Sequence, residues 1–325
     1  MAVVITEVSS RTYSRLGQGG ALFGMGLFDA IEEVGNTFLL TADMGKPAGM
    51  GRFKTRCPEY FVNVGIAEQN LIGMAAGIAS EGHPVVASAQ AAFISMRSFE
   101  QVRQYMGYMS LPIVTVGVSA GFGLTFFGNT HYAIEDMALM RTIPGMTILA
   151  PSDAGQAAKA IVAALKAQTP VYIRCTGGLN APAIYKSDYE FVIGKAIEIK
   201  PGKDVGIFVT GTVTANALEA ARALEEKGIS AAVIDVHTIK PLDTACIDRY
   251  MGHKLLVSVE EHNVIGGLGG AISEHLSGQA ESPRLLRLGV KDRFFTPGDY
   301  PYLIQQSRLD AISIAEDIFT ALPSS

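Results

Sequence analysis

From about Phe38 onward the sequence alternates short β-branched runs with Ala- and Gly-rich stretches of helical length, and this rhythm leaves few architectures open. FLLTADM leads to GIAEQNLIGMAAGIASEG, PVVASA, SFEQVRQYMGYM and PIVTVGVSA, and the series continues with MTILAPSD, AGQAAKAIVAALKAQ and PVYIRC. Strands separated by helices pair in parallel, because each crossover carries the chain back to the same end of the sheet. The pattern therefore predicts an α/β fold with a doubly wound sheet. It breaks at GGLNAPAIYKSDYE, where Gly, Pro, Asn and Asp cluster, and a domain boundary is expected there, at about 180–192. The rhythm then starts afresh with DVGIFVTGT, ANALEAARALEEKG, AAVIDVHTI, DTACIDRYM, KLLVSVEE and LGGAISEHL, which predicts a second, smaller α/β domain. The expected domains are 1–185 and 192–325, with LDAISIAEDIFTAL as an amphipathic closing helix.

A chain of 325 residues has room for two such domains, each with its own core. With 48% hydrophobic and 18% charged residues the composition is that of a globular protein. A net charge of −5 gives no electrostatic reason to bind nucleic acid or an anionic membrane. Cys57, Cys175 and Cys246 lie far apart with no CxxC or Cys/His spacing, so buried reduced thiols are expected rather than a zinc site or a disulfide framework. No metal ligand set is assigned to this chain. The N-terminal MAVVITEVSSRTYSR lacks a basic segment followed by a long apolar run, and no run of about 18 apolar residues occurs later. A soluble, cytoplasmic protein is expected.

The stretch richest in chemistry is Phe61-Val62-Asn63-Val64-Gly65-Ile66-Ala67-Glu68-Gln69-Asn70, where a strand-like run turns into a helix with a carboxylate near its start. Glu68 there could simply complement the helix dipole. Its flanks Val64, Ile66, Leu71, Ile72 and Met74 predict apolar surroundings instead, in which a carboxyl group tends to be held neutral and can donate a hydrogen bond or a proton. Downstream, Gly73, Ala75, Ala76, Gly77 and Ala79 leave a helix of little bulk, suited either to core packing or to a close interface in an oligomer.

These residues carry a family resemblance. GIAEQNLIGMAAGIA resembles the glutamate-bearing segment of transketolases and of 1-deoxyxylulose-5-phosphate synthase. GNTHYAIEDMALMRTIPGMTILAPSD is similar to the family's substrate-histidine loop, and DVHTIKPLD and SVEEHNVIGGLGGAISEHL to its C-terminal domain. Four matches in order, over almost the whole chain, make the likeness specific. The resemblance implies a thiamine-diphosphate pyrimidine-binding fold followed by a transketolase C-terminal-like domain. It implies that Glu68 meets N1′ of the aminopyrimidine, where proton exchange favours the imino tautomer that activates the thiazolium. It further implies that Phe93 stacks on that ring with Gln90 and Met96 nearby, and that Asp43 lies near the cofactor. His131 would contact the hydroxyl groups of a sugar, and Arg15 and Arg174 its distal phosphate. From the residues alone, Phe93 could be plain core, Asp43 a turn or cap residue, and Arg174 half of a structural ion pair. His237 and His262 could simply satisfy buried hydrogen bonds.

The departures from the family pattern are also informative. Phe127 stands where transketolases carry an acidic residue that reads a substrate hydroxyl, and Ser119 where they carry a second histidine. A phenyl ring cannot accept a strong hydrogen bond, so a branched, deoxygenated or sulfonated ketose is expected in place of the common pentose phosphates. The GDG motif that holds magnesium diphosphate in the family is absent, and Gly266-Gly267-Leu268-Gly269-Gly270 falls short of a dinucleotide fingerprint. The resemblance thus implies a separate N-terminal subunit that holds thiamine diphosphate and Mg2+, with two copies of each chain in a heterotetramer. The expected reaction is transfer of a two-carbon ketol unit from a ketose to an aldose. The alternatives are the beta chain of a 2-oxo acid dehydrogenase decarboxylase component and a non-catalytic stabilising subunit.

Overall fold

The computed structural model describes residues 3–322. Their strands are β1 (Phe38–Thr41), β2 (Phe61–Asn63), β3 (Val85–Gln90), β4 (Ile113–Val118), β5 (Thr147–Leu149), β6 (Val171–Cys175), β7 (Ile197–Lys200), β8 (Val205–Thr210), β9 (Ala231–Asp235), β10 (Thr238–Lys240), β11 (Leu255–Asn263) and β12 (Leu285–Val290). They form a seven-stranded sheet in the order β10-β5-β6-β4-β3-β1-β2 and a five-stranded sheet in the order β12-β11-β8-β9-β7. Central strands such as β3, β4 and β8 are buried along their whole length, as parallel strands covered by helices on both faces must be. Residues 176–196 contain no helix or strand. Among the described residues no helix is long and apolar enough to cross a membrane.

The two sheets are parallel except at their edges, where β10 and β7 run antiparallel to their neighbours. The single strand expected at AAVIDVHTI is in fact two. β9 ends at Asp235, and β10 crosses to the larger sheet to pair with β5. Buried Asp235 causes the break, because its Oδ2 accepts from Gln156 Nε2 at 2.8 Å, Tyr185 Oη at 2.6 Å and Ser152 Oγ at 3.1 Å, all outside its own sheet. The crossing is then held by Ala150 N–H donating to the His237 carbonyl at 2.9 Å.

The chain before β1, to which the rhythm of the sequence assigns no element, is helical over Glu7–Ala21, Leu22–Gly26 and Leu27–Val34. Thr6 and Ser9 form a capping box at its start. These helices pack on Ala154–Ala167, and Gly26 permits the contact, since a Cβ there would run into the backbone of Ala158. Cys175 and Cys246 are buried, their thiols pushed up by burial to about 12 and about 11, whereas Cys57 is only half-buried.

Arg174, at the end of β6, forms the structural ion pair that its sequence left open as an alternative. Its guanidinium is 2% exposed. Nε donates to Asp136 at 2.9 and 3.0 Å, Nη1 to Thr176 Oγ1 at 3.0 Å, and Nη2 to the carbonyls of Ala133 and Glu261 at 3.0 and 2.8 Å. A cation so far from water needs such partners, and the carboxylate, the two carbonyls and the Thr176 hydroxyl together occupy four of its five N–H donors. The pair ties β6 of the large sheet to β11 of the small one and to the loop before Asp136.

His262, beside this cluster, is neutral by geometry: Nε2 accepts from Ala138 N–H at 3.3 Å, and Nδ1 lies 2.8 Å from the Asn263 carbonyl. His237 stacks on Phe191 with ring centroids 4.2 Å apart, and its Nε2 has no hydrogen-bond partner among the described residues. The expectation of satisfied histidines holds for His262 and only in part for His237.

Two outcomes follow from this junction. Arg174→Met should lower the free energy of unfolding by about 3–5 kcal/mol in urea titrations, because Asp136 is left buried without its partner. His262 is held by burial at about 4, below its usual 6.5, so its contribution to stability is lost as pH falls from about 6.5 to about 4. Glu260, raised by burial to about 7, acts with the opposite sign, favouring the fold as pH falls from 7 toward 4.5. The two oppose each other, so the informative quantity is a difference between variants. Between pH 7 and pH 4.5, His262→Asn should gain about 2 kcal/mol on the wild type in paired unfolding curves.

Candidate active site

In the larger sheet β1 and β3 are neighbours, but the chain leaves β1 for β2 on one side and β3 for β4 on the other. A crevice opens at the carboxyl ends of strands where connections diverge in this way, and ligands of doubly wound sheets bind there. Asp43 follows β1, Glu68 follows β2, and Gln90 closes β3.

Glu68 opens the helix Glu68–Ser80 and is 3% exposed. Leu71, Ile72, Ala75 and Ala76 bury the inward face of that helix, each apolar side chain of Leu or Ile size contributing about 1.5–3 kcal/mol to holding it. The surroundings of the carboxylate differ from the purely apolar ones expected. Arg97 Nη1 lies 2.8 Å from Glu68 Oε2, while Oε1 has no hydrogen-bond partner among the described residues. The same guanidinium lies over the Phe93 ring, 4.1 Å from its centroid.

Phe93 begins a wide helical turn, Phe93–Arg97, directly after β3. Gln90 is buried and organises it, with Oε1 accepting from Phe93 N–H at 3.3 Å and Nε2 donating to the His131 carbonyl at 2.7 Å. The His131 ring meets the edge of Phe93 at 5.1 Å and stacks on Phe127 at 4.5 Å with 21° between the planes. Thr130 Oγ1 is 2.9 Å from His131 Nδ1. Glu68, Arg97, Phe93, His131 and Phe127 thus form one unbroken run of contacts.

The loop carrying Phe127 and His131 is anchored on both sides. Gly121 and Ala133 exchange backbone hydrogen bonds at 2.9 and 3.0 Å, and Arg174 holds the Ala133 carbonyl. Asn129 exchanges hydrogen bonds with the backbone of Phe295 in the second domain at 2.8 and 3.1 Å. Phe127 nonetheless stays 52% exposed, an apolar face offered beside the histidine.

The remaining candidates lie outside this run. Asp43 sits in the left-handed region at φ 55°, held by Asn63, whose Oδ1 accepts from Asp43 N–H at 3.0 Å and from Gly65 N–H at 3.0 Å. It lines a cavity of about 250 Å³ with Lys46, Lys54 and Asn63. Ser119, also left-handed at φ 54°, lines a separate cavity of about 300 Å³ with Lys46 and a series of glycines. Met96 is 41% exposed on the Phe93 turn, and Arg15 is exposed on the first helix, where it forms no ion pair with a described residue.

Sequence reasoning passed over Arg97, Asn63 and Lys46. For Arg97 a signal existed, since a cation four residues after Phe93 falls on the same helical face. Among the described residues no three His, Cys, Asp or Glu side chains gather into a metal-sized cluster. A buried carboxylate with one oxygen left unpaired, beside a half-buried aromatic ring, suits a planar heterocycle that presents an N–H or ring nitrogen and a flat face.

Comparison with known proteins fits this geometry. Residues 19–180 match the family described as transketolase, pyrimidine binding domain, and residues 194–314 match transketolase, C-terminal domain. The chain is 36% identical over 298 residues to a Methanocaldococcus jannaschii protein described as a transketolase C-terminal section, covering 91% of this chain and 93% of that one. It is 38% identical over 278 residues to the 6-deoxy-6-sulfo-D-fructose transketolase subunit of Clostridium sp. strain MSTE9, covering 85% of each. It is also similar to a solved split-gene transketolase, an inactive beta4 tetramer, at 36% identity and a TM-score of 0.85, over 93% of this chain and 97% of that one. Relatives that match over most of their own length include a transketolase C-terminal section and a transketolase subunit, and the pyrimidine-binding domain implies dependence on thiamine diphosphate. The chain belongs to the transketolase family, of which it carries the pyrimidine-binding and C-terminal domains.

Proposed function

We propose that this chain is the C-terminal subunit of a split transketolase, moving a two-carbon ketol unit from a ketose to an aldose in a complex with a separate N-terminal subunit. The observation that carries the reading is the buried Glu68 carboxylate, half paired, at the crevice where β1 and β3 diverge. When bound, thiamine diphosphate supplies the nucleophilic carbon and electron sink that such a transfer needs. Glu68 would hold or release a proton at the aminopyrimidine nitrogen, and Phe93 would offer that ring a flat apolar face. Gln90 fixes the turn bearing Phe93 and, through the His131 carbonyl, the loop opposite. His131 would read sugar hydroxyls and carry protons between them, its ring orientation set by Thr130 and the two phenyl rings.

The substrate pocket we propose is less polar than a pentose-phosphate site, because Phe127 covers His131 with a ring that accepts no strong hydrogen bond. A deoxygenated or sulfonated ketose suits that wall, and the name of the Clostridium relative supports such a substrate. With Arg174 locked in its ion pair, Lys46 beside Ser119 is the cation we propose for an anionic end of the sugar. We place the pyrimidine-binding domain at 1–185 and the C-terminal domain at 192–325, a division supported by the strand-free stretch between β6 and β7. Mg2+ and the diphosphate are assigned to the partner subunit, in a cytoplasmic assembly of two copies of each chain. Asp43, Met96 and Arg15 stay with this proposal as residues at the edge of the shared site.

Calorimetry with thiamine diphosphate and Mg2+ should detect binding to the mixture of this chain with its N-terminal partner and none to this chain alone. Tight binding to the isolated chain would remove the divided-site reading. In the reconstituted complex, Glu68→Gln should lower the rate of ketol transfer by at least about 100-fold. An unchanged rate would leave the chain as a non-catalytic subunit.

A further inference from the structure

The helix that begins at Glu68 and the turn that begins at Phe93 each present one of the two groups assigned above to the aminopyrimidine, and Arg97 is the residue that joins them. Its guanidinium donates to Glu68 Oε2 at 2.8 Å and lies 4.1 Å from the Phe93 ring centroid. Its own carbonyl accepts from Gln69 Nε2 at 3.2 Å, so backbone and side chain both fasten the turn to the start of the helix. Arg97 is itself 46% exposed. A half-solvated ion pair adds little to global stability, so the consequence of this contact lies in geometry rather than in folding.

That geometry is selective. Arg97 holds Oε2 and leaves Oε1 without a partner among the described residues, so the carboxylate is turned with one oxygen committed and one available. It lies over the face of Phe93 while His131 meets the ring edge, and the ring packs against Ala91, Ala92, Ala120 and Ala133, so the position of the ring is fixed on several sides. A guanidinium can do both at once because it is planar and has several donors in fixed directions, which an ammonium does not.

We propose that Arg97 is a positioning residue for thiamine diphosphate: it clamps Glu68 and Phe93 at the separation and orientation in which the free carboxylate oxygen and the aromatic ring receive the aminopyrimidine together. This rests on the cofactor assignment made above. Arg97 acts through Glu68 and takes no proton itself.

The test is a double-mutant cycle in the reconstituted complex, reading the Kd of thiamine diphosphate by calorimetry and the near-ultraviolet circular-dichroism band of the bound aminopyrimidine. Arg97→Met should weaken binding by about 10- to 100-fold, the range for loss of a hydrogen bond to a charged group, and should diminish the band. Arg97→Lys, which keeps the charge without the plane, should recover only part of both. In a Glu68→Gln background the effect of Arg97→Met should shrink to within about twofold, because the group it orients has changed. Undiminished weakening in that background would reduce Arg97 to a general structural contact. Wild-type affinity in Arg97→Met would remove any role, and tighter binding would mean that the guanidinium occupies the place of the ring and competes with it. Failure of every complex, including the wild type, to bind the cofactor would instead overturn the functional assignment.

Discussion

The ion pair of Arg174 and Asp136 holds the rest of the molecule in register. There β6 of the seven-stranded sheet, β11 of the five-stranded sheet and the loop carrying His131 all come within reach of one guanidinium. An isolated charge there would be prohibitively costly, so the carbonyls of Ala133 and Glu261 must face inward, and with them the backbone on either side. Ala133 is bridged to Gly121, and the intervening residues, Phe127 and His131 among them, are thereby presented at the mouth of the crevice. The arginine shapes the loop through the Ala133 carbonyl.

A second polar centre does comparable work at the other end of the junction. Asp235 draws Ser152, Gln156 and Tyr185 from the first domain and its linker onto the last residue of β9. The strand therefore ends there, and the chain crosses to the edge of the larger sheet as β10. The two domains share a sheet edge as well as a surface, which is a tighter union than a chain of two independent α/β units requires. Burial raises Asp235 to about 6 despite three hydrogen-bond donors, a measure of how far from water the junction lies.

At the crevice the same logic runs on a smaller scale. Glu68 is buried because a helix with Leu71, Ile72, Ala75 and Ala76 inward carries its first residue inward too. The side chain that answers it, Arg97, comes from the next crossover and remains half in solvent. One carboxylate oxygen is paired and one is not, and an aromatic ring stands beside the pair. This is an arrangement for receiving a ligand rather than for stabilising a fold, since the pair is too exposed to add much stability.

Much of this is legible in the sequence. Periodicity determined the two α/β domains, because strand and helix repeats are imposed by backbone geometry and survive in any context. The motif around Glu68 and the loop to His131 could be recognised because their residues lie close together in sequence. What the sequence did not disclose were the long-range partners. Arg174 sits 38 residues from Asp136 and 87 from Glu261, and nothing in VYIRC distinguishes a guanidinium facing a substrate from one sealed between two sheets. The splitting of AAVIDVHTI, the pairing of Glu68 with Arg97 and the locking of Asp43 by Asn63 are of the same kind. Local pattern decided which residues form strands and helices. The tertiary structure alone decided which buried charges meet, because the cost of leaving a charge unpaired depends on what the whole fold brings beside it.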